Sequence, residues 1–423
     1  MIQRDLHGHP LSGADATAVE HYERGAALLR CYLGDPLADA QAAITHAPAF
    51  AMAHVLAAYL NLLGTESAGL AVAHAHHSEA AVLPVTEREA LHIKAVGHLT
   101  QGRWHAAGYV LEDLSARYPH DLLALQAGHQ IDFFTGASRM LRDRIARAES
   151  HWRDGMPGHH AVLSMLAFGL EECADYTRAE AYGRRSVELE PRDGWGWHAV
   201  AHVMEMQGRH RDGVAWLSAD KQVWSEGSFF AIHNWWHLAL FHLGLDQVDE
   251  ALAIVDARVL GTASPVVLDM IDASAILWRL RLRGIPVGNR WQALAERWLA
   301  AGKESIYAFN DMHAMMALVS ADRMGDAQGL FEAQQRALTV SSDNCDFLRE
   351  VGIEATRAMF DFALGRYAES AERLRKVRPA AHRFGGSHAQ RDVIDLTLIE
   401  AATRAGDETL SDALRRERMF VRG

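Results

Sequence analysis

The chain has 423 residues, 49% hydrophobic and 23% charged, with a formal net charge of −12. That is globular composition with enough length for a large core. The acidic balance, with no long basic run, argues against nucleic acid as a partner. No apolar run approaches the roughly 20 residues that span a bilayer.

The first residues, MIQRDLHGHPLSG, lack the apolar core of a secretory signal. Strand signals are almost absent from there on, and apolar residues recur at helical spacing. Helical hairpins are expected near 20–80, 88–118 and 121–150. First helices of further hairpins are expected near 160–173, 195–207, 229–243, 266–283, 305–321, 348–364 and 389–404. Within them a period shows. In RWHAAGYVLEDLSARYP, Pro119 follows Ala107 by twelve residues, and in ADYTRAEAYGRRSVELEP, Pro191 follows Ala179 by the same step. Thirty-four residues beyond Ala179 stands Gly213, and 38 further on Ala251. A small residue lets two antiparallel helices approach, and a proline, having no amide proton, stops the second helix. A period near 34 with these marks is the tetratricopeptide pattern.

Punctuation agrees. Thr86 with Glu89 and Ser387 with Gln390 read as capping boxes, and Asp193 and Asp246 as N-caps. Gly102, Gly208, Gly244, Gly325 and Gly365 begin hairpin turns, where glycine suits a left-handed cap. The expected architecture is all-α, one continuous tetratricopeptide-like superhelix over 1–423. The spacing is irregular after residue 220, which points to a distorted solenoid that closes partly on itself.

The 25 histidines are in excess, and many fall on first helices, which line the concave surface of such a solenoid. His198, His202 and Glu205 lie within an arc of roughly 60° on one helix. The next carries His233, Asn234 and His237, the one after Asp269 and Asp272, and the next Asn310, Asp311 and His313. His388, Arg391 and Asp392 follow near the end. His129, Asp132, Glu171 and Glu172 stand upstream. Taken singly, each histidine reads as a hydrogen-bonded core residue. Trp195, Trp197, Trp235 and Trp236 read as inter-repeat packing, and His74, His76 and His77 as solvated. Glu171 and Glu172 point about 100° apart, so one of them is expected at the surface. Taken together, two HxxxH pairs on consecutive helices with acids at matching depth point to a polar chamber, because a fold does not collect buried polar groups without partners.

Two chemistries fit such a chamber. HxxxH places two imidazoles on one helix face, as zinc sites require, with His198, His202 and Glu205 as the candidate ligand set. The glutamate directly after the first histidine in HExxH is missing. Acid–base catalysis by His198, His202, His233, His237 and His313 with Asp269 and Asp272 is the other. Trp197 and Trp236 would stack on a small polar or aromatic molecule, and Asn234, Asn310, Asp311 and Arg391 would bind it. Nucleophilic chemistry has little support: there is no GxSxG elbow, Cys345 has no local activator, and FGGSHA reads as a helix cap. Cys31, Cys173 and Cys345 form no CxxC pair; they fit a reducing cytosol without disulfides or a zinc–thiolate site, and the expected location is cytoplasmic. The rival function is a protein-interaction scaffold with structural histidines.

Eight segments carry a resemblance: TEREALHIKAV, HDLLALQAGHQIDFFTG, WHAVAHVMEM, AIHNWWHLALF, LDMIDASAILWRL, GNRW, FNDMHAMMA and GGSHAQRDV. In this order, over nearly the whole length, the chain resembles the tetratricopeptide repeat protein 38 family. The resemblance implies an all-helical repeat protein and assigns no reaction or ligand. Where that family has a His-Asp pair in an ALKxxHD-like segment, this chain has His129-Gln130 with Asp132 two residues on. A role that needs the adjacent acid is therefore not carried over. His388 stands where other members carry asparagine, which argues against an essential group there.

Overall fold

The computed structural model describes residues 2–302 and 304–422. The fold is all-α and tetratricopeptide-like, a succession of antiparallel helical hairpins. Among the described residues, extended structure is limited to a two-residue antiparallel ribbon, Gln3–Arg4 against Pro10–Leu11, and one bridge between Leu33 and Ser228. The early hairpins are Ala16–Cys31 with Pro36–His46, Ala51–Leu62 with Ser67–Ala81, Glu87–Leu99 with Trp104–Arg117, and Leu122–Phe134 with Ser138–Glu149. Later first helices are His159–Glu171, Gly194–Met206, Ala231–Gly244, Val267–Leu282, Ala308–Ser320 and His388–Arg404. Each lies within a few residues of its expected bounds. The helix expected at 348–364 starts as a π-helical turn, Leu348–Gly352, and continues as Ile353–Ala363.

The chain divides into two compact units. The first comprises Met1–Phe133, Ala137–Val203 and Ala219–Asn234. Its hairpins close on the small residues the period marks. Ala107 and Ala179 are fully buried. A Cβ on Gly183 would stand 2.7 Å from Val200, and one on Gly169 would stand 2.5 Å from backbone atoms of Leu141 and Arg142. Pro119 and Pro191 each follow a helix end, Arg117 and Leu189, by two residues. Their carbonyls accept the indole N–H groups of Trp152 and Trp197 at 2.9 and 2.8 Å. Both expected capping boxes form. The buried Glu89 of the first also accepts the Ser12 amide and hydroxyl at 2.8 and 2.6 Å, which anchors the N-terminal ribbon.

The second unit comprises Phe134–Gly136, Met204–Ser218 and Trp235–Gly423. Gly213 is required by the Phe241 ring, which a Cβ would meet at 2.4 Å, and Ala251 is fully buried. Trp278 donates to Thr397 at 2.9 Å, Trp298 to Ser274 at 3.0 Å, and Arg279 to the Ala389 carbonyl at 2.7 Å. These bonds let a polar group be buried between helices without loss. The irregular spacing after residue 220 corresponds to the short helix Lys221–Ser225 and to π-helical turns at Val255–Val259 and Leu348–Gly352.

The turns depart from expectation at two places. Gly102, Gly208 and Gly365 are left-handed, but at the turns near Gly244 and Gly325 the picture differs. The left-handed residues there are Asp246 and Asp322, because a short polar side chain tolerates that conformation. Asp246 is therefore a link residue; the N-cap is Gln247. Gly244 is small for another reason, since a Cβ would meet the His210 ring at 2.8 Å.

The close approach at Gly169 gives a paired test. Gly169→Ala forces a methyl into backbone and is expected to lower stability by about 1–3 kcal/mol in urea unfolding. Gly329→Ala, inside the helix Met324–Ala337 with nothing within 4 Å of its Cβ, is expected to raise it by about 0.5–1 kcal/mol.

Candidate functional site

Three successive first helices of the first unit carry its imidazole cluster. Asp193 starts the middle one: its Oδ1 accepts the amides of Trp195 and Gly196, both at 3.1 Å. Its Oδ2 accepts the Ser186 hydroxyl at 2.7 Å and lies 2.9 Å from His160 Nδ1. Asn234, on the next first helix, donates to the Gly194 carbonyl at 3.1 Å. These bonds fix how the helices are rotated against one another, and so which side chains face inward.

His198 and His202, one turn apart, meet edge to face with ring centroids 4.3 Å apart. His198 Nε2 lies 3.1 Å from His233 Nε2. His202 Nδ1 lies 3.4 Å from Glu171 Oε2. His198, His202 and His233 each offer a ring nitrogen within 4.8 Å of the others'. Aromatic rings enclose them: Phe168 is 5.3 Å from His198 and 5.2 Å from His202, Trp195 is 4.6 Å from His198, and Phe230 is 5.1 Å from His233. His202 and Glu171 have no solvent exposure, while His233 is half-buried. Glu205 follows His202 by three residues, and His237 follows His233 by four, on the stretches of those helices that belong to the second unit. Both are buried.

The remaining candidates are placed as follows. Trp197 gives its indole N–H to Pro191, so Trp195 is the tryptophan beside the imidazoles. In the second unit, Trp236 is fully buried with the Arg279 guanidinium 5.5 Å from its ring centre. His313 donates from Nδ1 to the Phe309 carbonyl at 2.9 Å. Burial pushes its imidazole down to about 4, and the Arg279 charge acts in the same sense. Asp269 accepts from Ser264 at 2.5 Å, and Asp272 is buried on the same helix. Asp311 accepts from Ser305 at 2.5 Å and Gln334 at 3.1 Å, beside the buried Asn310. Arg391 donates to the Gly385 and Gly386 carbonyls. It lines a cavity of about 300 Å³ with His382, His388, Arg378 and Arg418.

The expectation that one of Glu171 and Glu172 lies at the surface is overturned: both are buried. Glu172 reaches the Ser138 hydroxyl at 3.4 Å, so the C-terminal turn of this helix is covered on more than one side. Asp132 binds the buried Arg144 guanidinium in two bonds, 2.7 and 2.9 Å. His129 packs against Phe168 and Trp195 instead, and burial pushes it down to about 3.

Two buried networks escaped the sequence reading. Asp121 accepts from Arg88 at 2.8 Å and lies 3.0 Å from His92 Nε2, whose Nδ1 meets the Tyr59 hydroxyl at 3.1 Å. Burial would raise the Asp121 carboxyl, but His92 and Arg88 hold it well below the usual carboxylate range. The other joins Cys31, His160 and Asp193, with the thiol sulfur 4.0 Å from His160 Nε2. It has the order of a nucleophile, base and orienting acid. However, Cys31 ends its helix, where the dipole disfavours an anion. Burial, and then the Asp193 charge, push the thiol up, so it stays protonated. The signal that could have revealed these sets is separation by about one repeat: 29 residues for His92–Asp121, 33 for Tyr59–His92, Arg88–Asp121 and His160–Asp193, and 35 for His198–His233.

The hairpins and their small-residue contacts define a helical repeat protein of the tetratricopeptide type. No family model matches the sequence. Among solved structures, the chain is similar to the crystal structure of the APC/C hetero-tetramer Cut9-Hcn1, at 12% identity over 90% of this chain and 76% of that one, with a TM-score of 0.38. It is also similar to the P58(IPK) TPR domain, at 15% identity over 93% and 99%, with a TM-score of 0.20. At these scores neither adds to the assignment, which rests on the hairpins themselves.

Asp311 offers a pH test. Burial pushes its carboxyl from 3.8 up to about 7. Between those values the folded state holds the extra proton, so this group's contribution to stability falls as pH rises from about 4 to about 7 and stays low above that. Asp311→Asn removes the ionisation and keeps an acceptor for Ser305. In urea unfolding the variant is expected to match the parent near pH 4.5 and to exceed it near pH 8, by on the order of 2–4 kcal/mol.

Proposed function

We propose that this helical repeat protein acts through the imidazole chamber of its first unit. The chamber takes a small polar or aromatic molecule and has the groups to move a proton on it. His198, His202 and His233 are the working side chains, with His237 next along the helix that bears His233. Trp195, Phe168 and Phe230 supply the aromatic walls. The observation that carries this reading is the 3.1 Å approach of His198 Nε2 to His233 Nε2, with Glu171 3.4 Å from His202. Imidazole titrates near neutrality, and a neighbouring carboxylate fixes its tautomer, which are the requirements of a general base. His313, Asp269, Asp272, Asn310, Asp311 and Arg391 belong to the second unit and are not needed for this reading.

The second reading is a protein-interaction scaffold with structural histidines. It is favoured by the near-complete burial of His198 and His202. Membership of the tetratricopeptide repeat protein 38 family is part of the proposal. It is supported by the segments that hold His92, Asp121, His198 and His233. A cytoplasmic location is proposed from the three free cysteines. Among the described residues no helix is long and apolar enough to cross a membrane.

The test is a thermal-shift screen of a metabolite panel on the parent and on His198→Gln/His233→Gln. The variant is expected to keep its helical circular dichroism and to bind the parent's hits about tenfold more weakly or worse, the worth of one 1.4 kcal/mol interaction. Hits retained by the variant, or a variant that unfolds while the parent binds nothing, would favour the scaffold.

A further inference from the structure

We infer that the chamber is a metal centre: His198, His202 and His233 hold a divalent transition-metal ion of the zinc class, and Glu171 supports it from behind His202. This deepens the reading above and rests on it.

The first argument is spacing. Zinc–imidazole bonds of 2.0–2.1 Å at a tetrahedral angle put two ligand nitrogens about 3.3 Å apart. His198 Nε2 and His233 Nε2 are 3.1 Å apart, and a His202 nitrogen lies within 4.8 Å of both. One N–H···N hydrogen bond accounts for two imidazoles facing each other at this distance. A metal ion instead takes one lone pair from each of the three imidazoles.

The second argument is preorganisation. His198 and His202 come from one buried helix whose start is fixed by Asp193. The rings are held by Phe168 and Trp195. Ligands locked in this way lose little freedom on binding.

The third argument is the outer shell. Metal-bound histidines hand their second nitrogen to a carboxylate or carbonyl, which sets the tautomer and strengthens the ligand. Glu171 Oε2 stands 3.4 Å from His202 Nδ1, and both residues have no solvent exposure. With Nδ1 turned to Glu171, Nε2 is the nitrogen left for the ion. A buried carboxylate also offsets part of the charge a dication brings in.

The donor set names the class of ion. Three imidazoles suit zinc, cobalt, nickel or copper, and not magnesium or calcium, which take oxygen. The carboxylate of the centre is Glu171. Glu205, the sequence-level choice, lies within electrostatic reach of Arg418 in the second unit.

The experiment uses the full chain without a polyhistidine tag, stripped with chelator and reloaded with zinc or cobalt(II) alone. Native mass spectrometry is expected to show one zinc per chain at micromolar metal. Cobalt(II) loading is expected to give the intense visible absorption of a tetrahedral site. Single His198→Gln, His202→Gln and His233→Gln variants that keep the parental circular dichroism should lose that absorption. Glu171→Gln should keep the stoichiometry and weaken binding about 10–100-fold. A parent that takes up neither metal, or folded histidine variants that bind it undiminished, overturns the metal centre. If the metabolite screen still yields ligands that His198→Gln/His233→Gln loses, the chamber reading survives that failure. If both fail, the histidines are structural.

Discussion

The structure depends on how closely a first helix can lie against a second. That distance is set by residues that give up their side chains. Gly169 touches the backbone at Leu141 and Arg142, Gly183 touches Val200, and Gly213 touches the Phe241 ring. At such contacts two helices have one rotational setting. A rotation of even 30° would drive a neighbouring side chain into backbone, because interiors are packed to crystal density. The chemistry follows from that setting. Glu171 is two residues from Gly169, and His198 is two from Gly196, whose missing Cβ would meet the Ser186 hydroxyl at 2.9 Å. The contacts that hold the hairpins together thus also aim the carboxylate and the imidazoles inward.

Buried polar groups in this protein follow a rule that separates the chamber from the rest. Asp121 has Arg88 and His92, Asp132 has Arg144, and Asp193 has a helix start, Ser186 and His160. In each, a carboxylate is met by cations or donors in number, so the low dielectric strengthens the set instead of penalising it. Asp121 with His92 and Asp193 with His160 join helices about one repeat apart, and Asp132 with Arg144 closes a single hairpin. The chamber inverts the proportion, with three imidazoles, aromatic walls and one carboxylate.

Much of the fold was legible because its signals are local. Small residues twelve before a proline, two capping boxes and a period near 34 are all readable without knowing what touches what, and the helix bounds followed. The turns at Asp246 and Asp322 were not legible, because a left-handed aspartate looks in sequence like an N-cap. Within the site, the HxxxH spacings gave the helices and the face. The carboxylate did not follow from spacing. Glu205 shares a helix face with His202, but Glu171 is brought to it by the preceding hairpin. The same holds for Trp195 against Trp197: the two differ by the 2.8 Å bond that draws one indole to Pro191. The buried pairs that were missed join residues about one repeat apart. A search for polar residues at the repeat interval would have caught them, whereas a search along single helices could not.

That interval also bears on how a helical repeat could assemble the proposed centre. In a stack of hairpins, position n on one first helix faces position n plus one period on the next, so a side chain placed once is offered a partner by every neighbour. The structure uses this for His160 with Asp193 and for His92 with Asp121, where an imidazole meets a carboxylate. At His198 and His233 the facing residues are the same type. Two imidazoles at this distance can share one N–H···N bond, and the proposed ion would instead take a lone pair from each. The scaffold that elsewhere sets a carboxylate against its partner here sets two imidazoles 3.1 Å apart, the spacing on which the proposed metal centre rests.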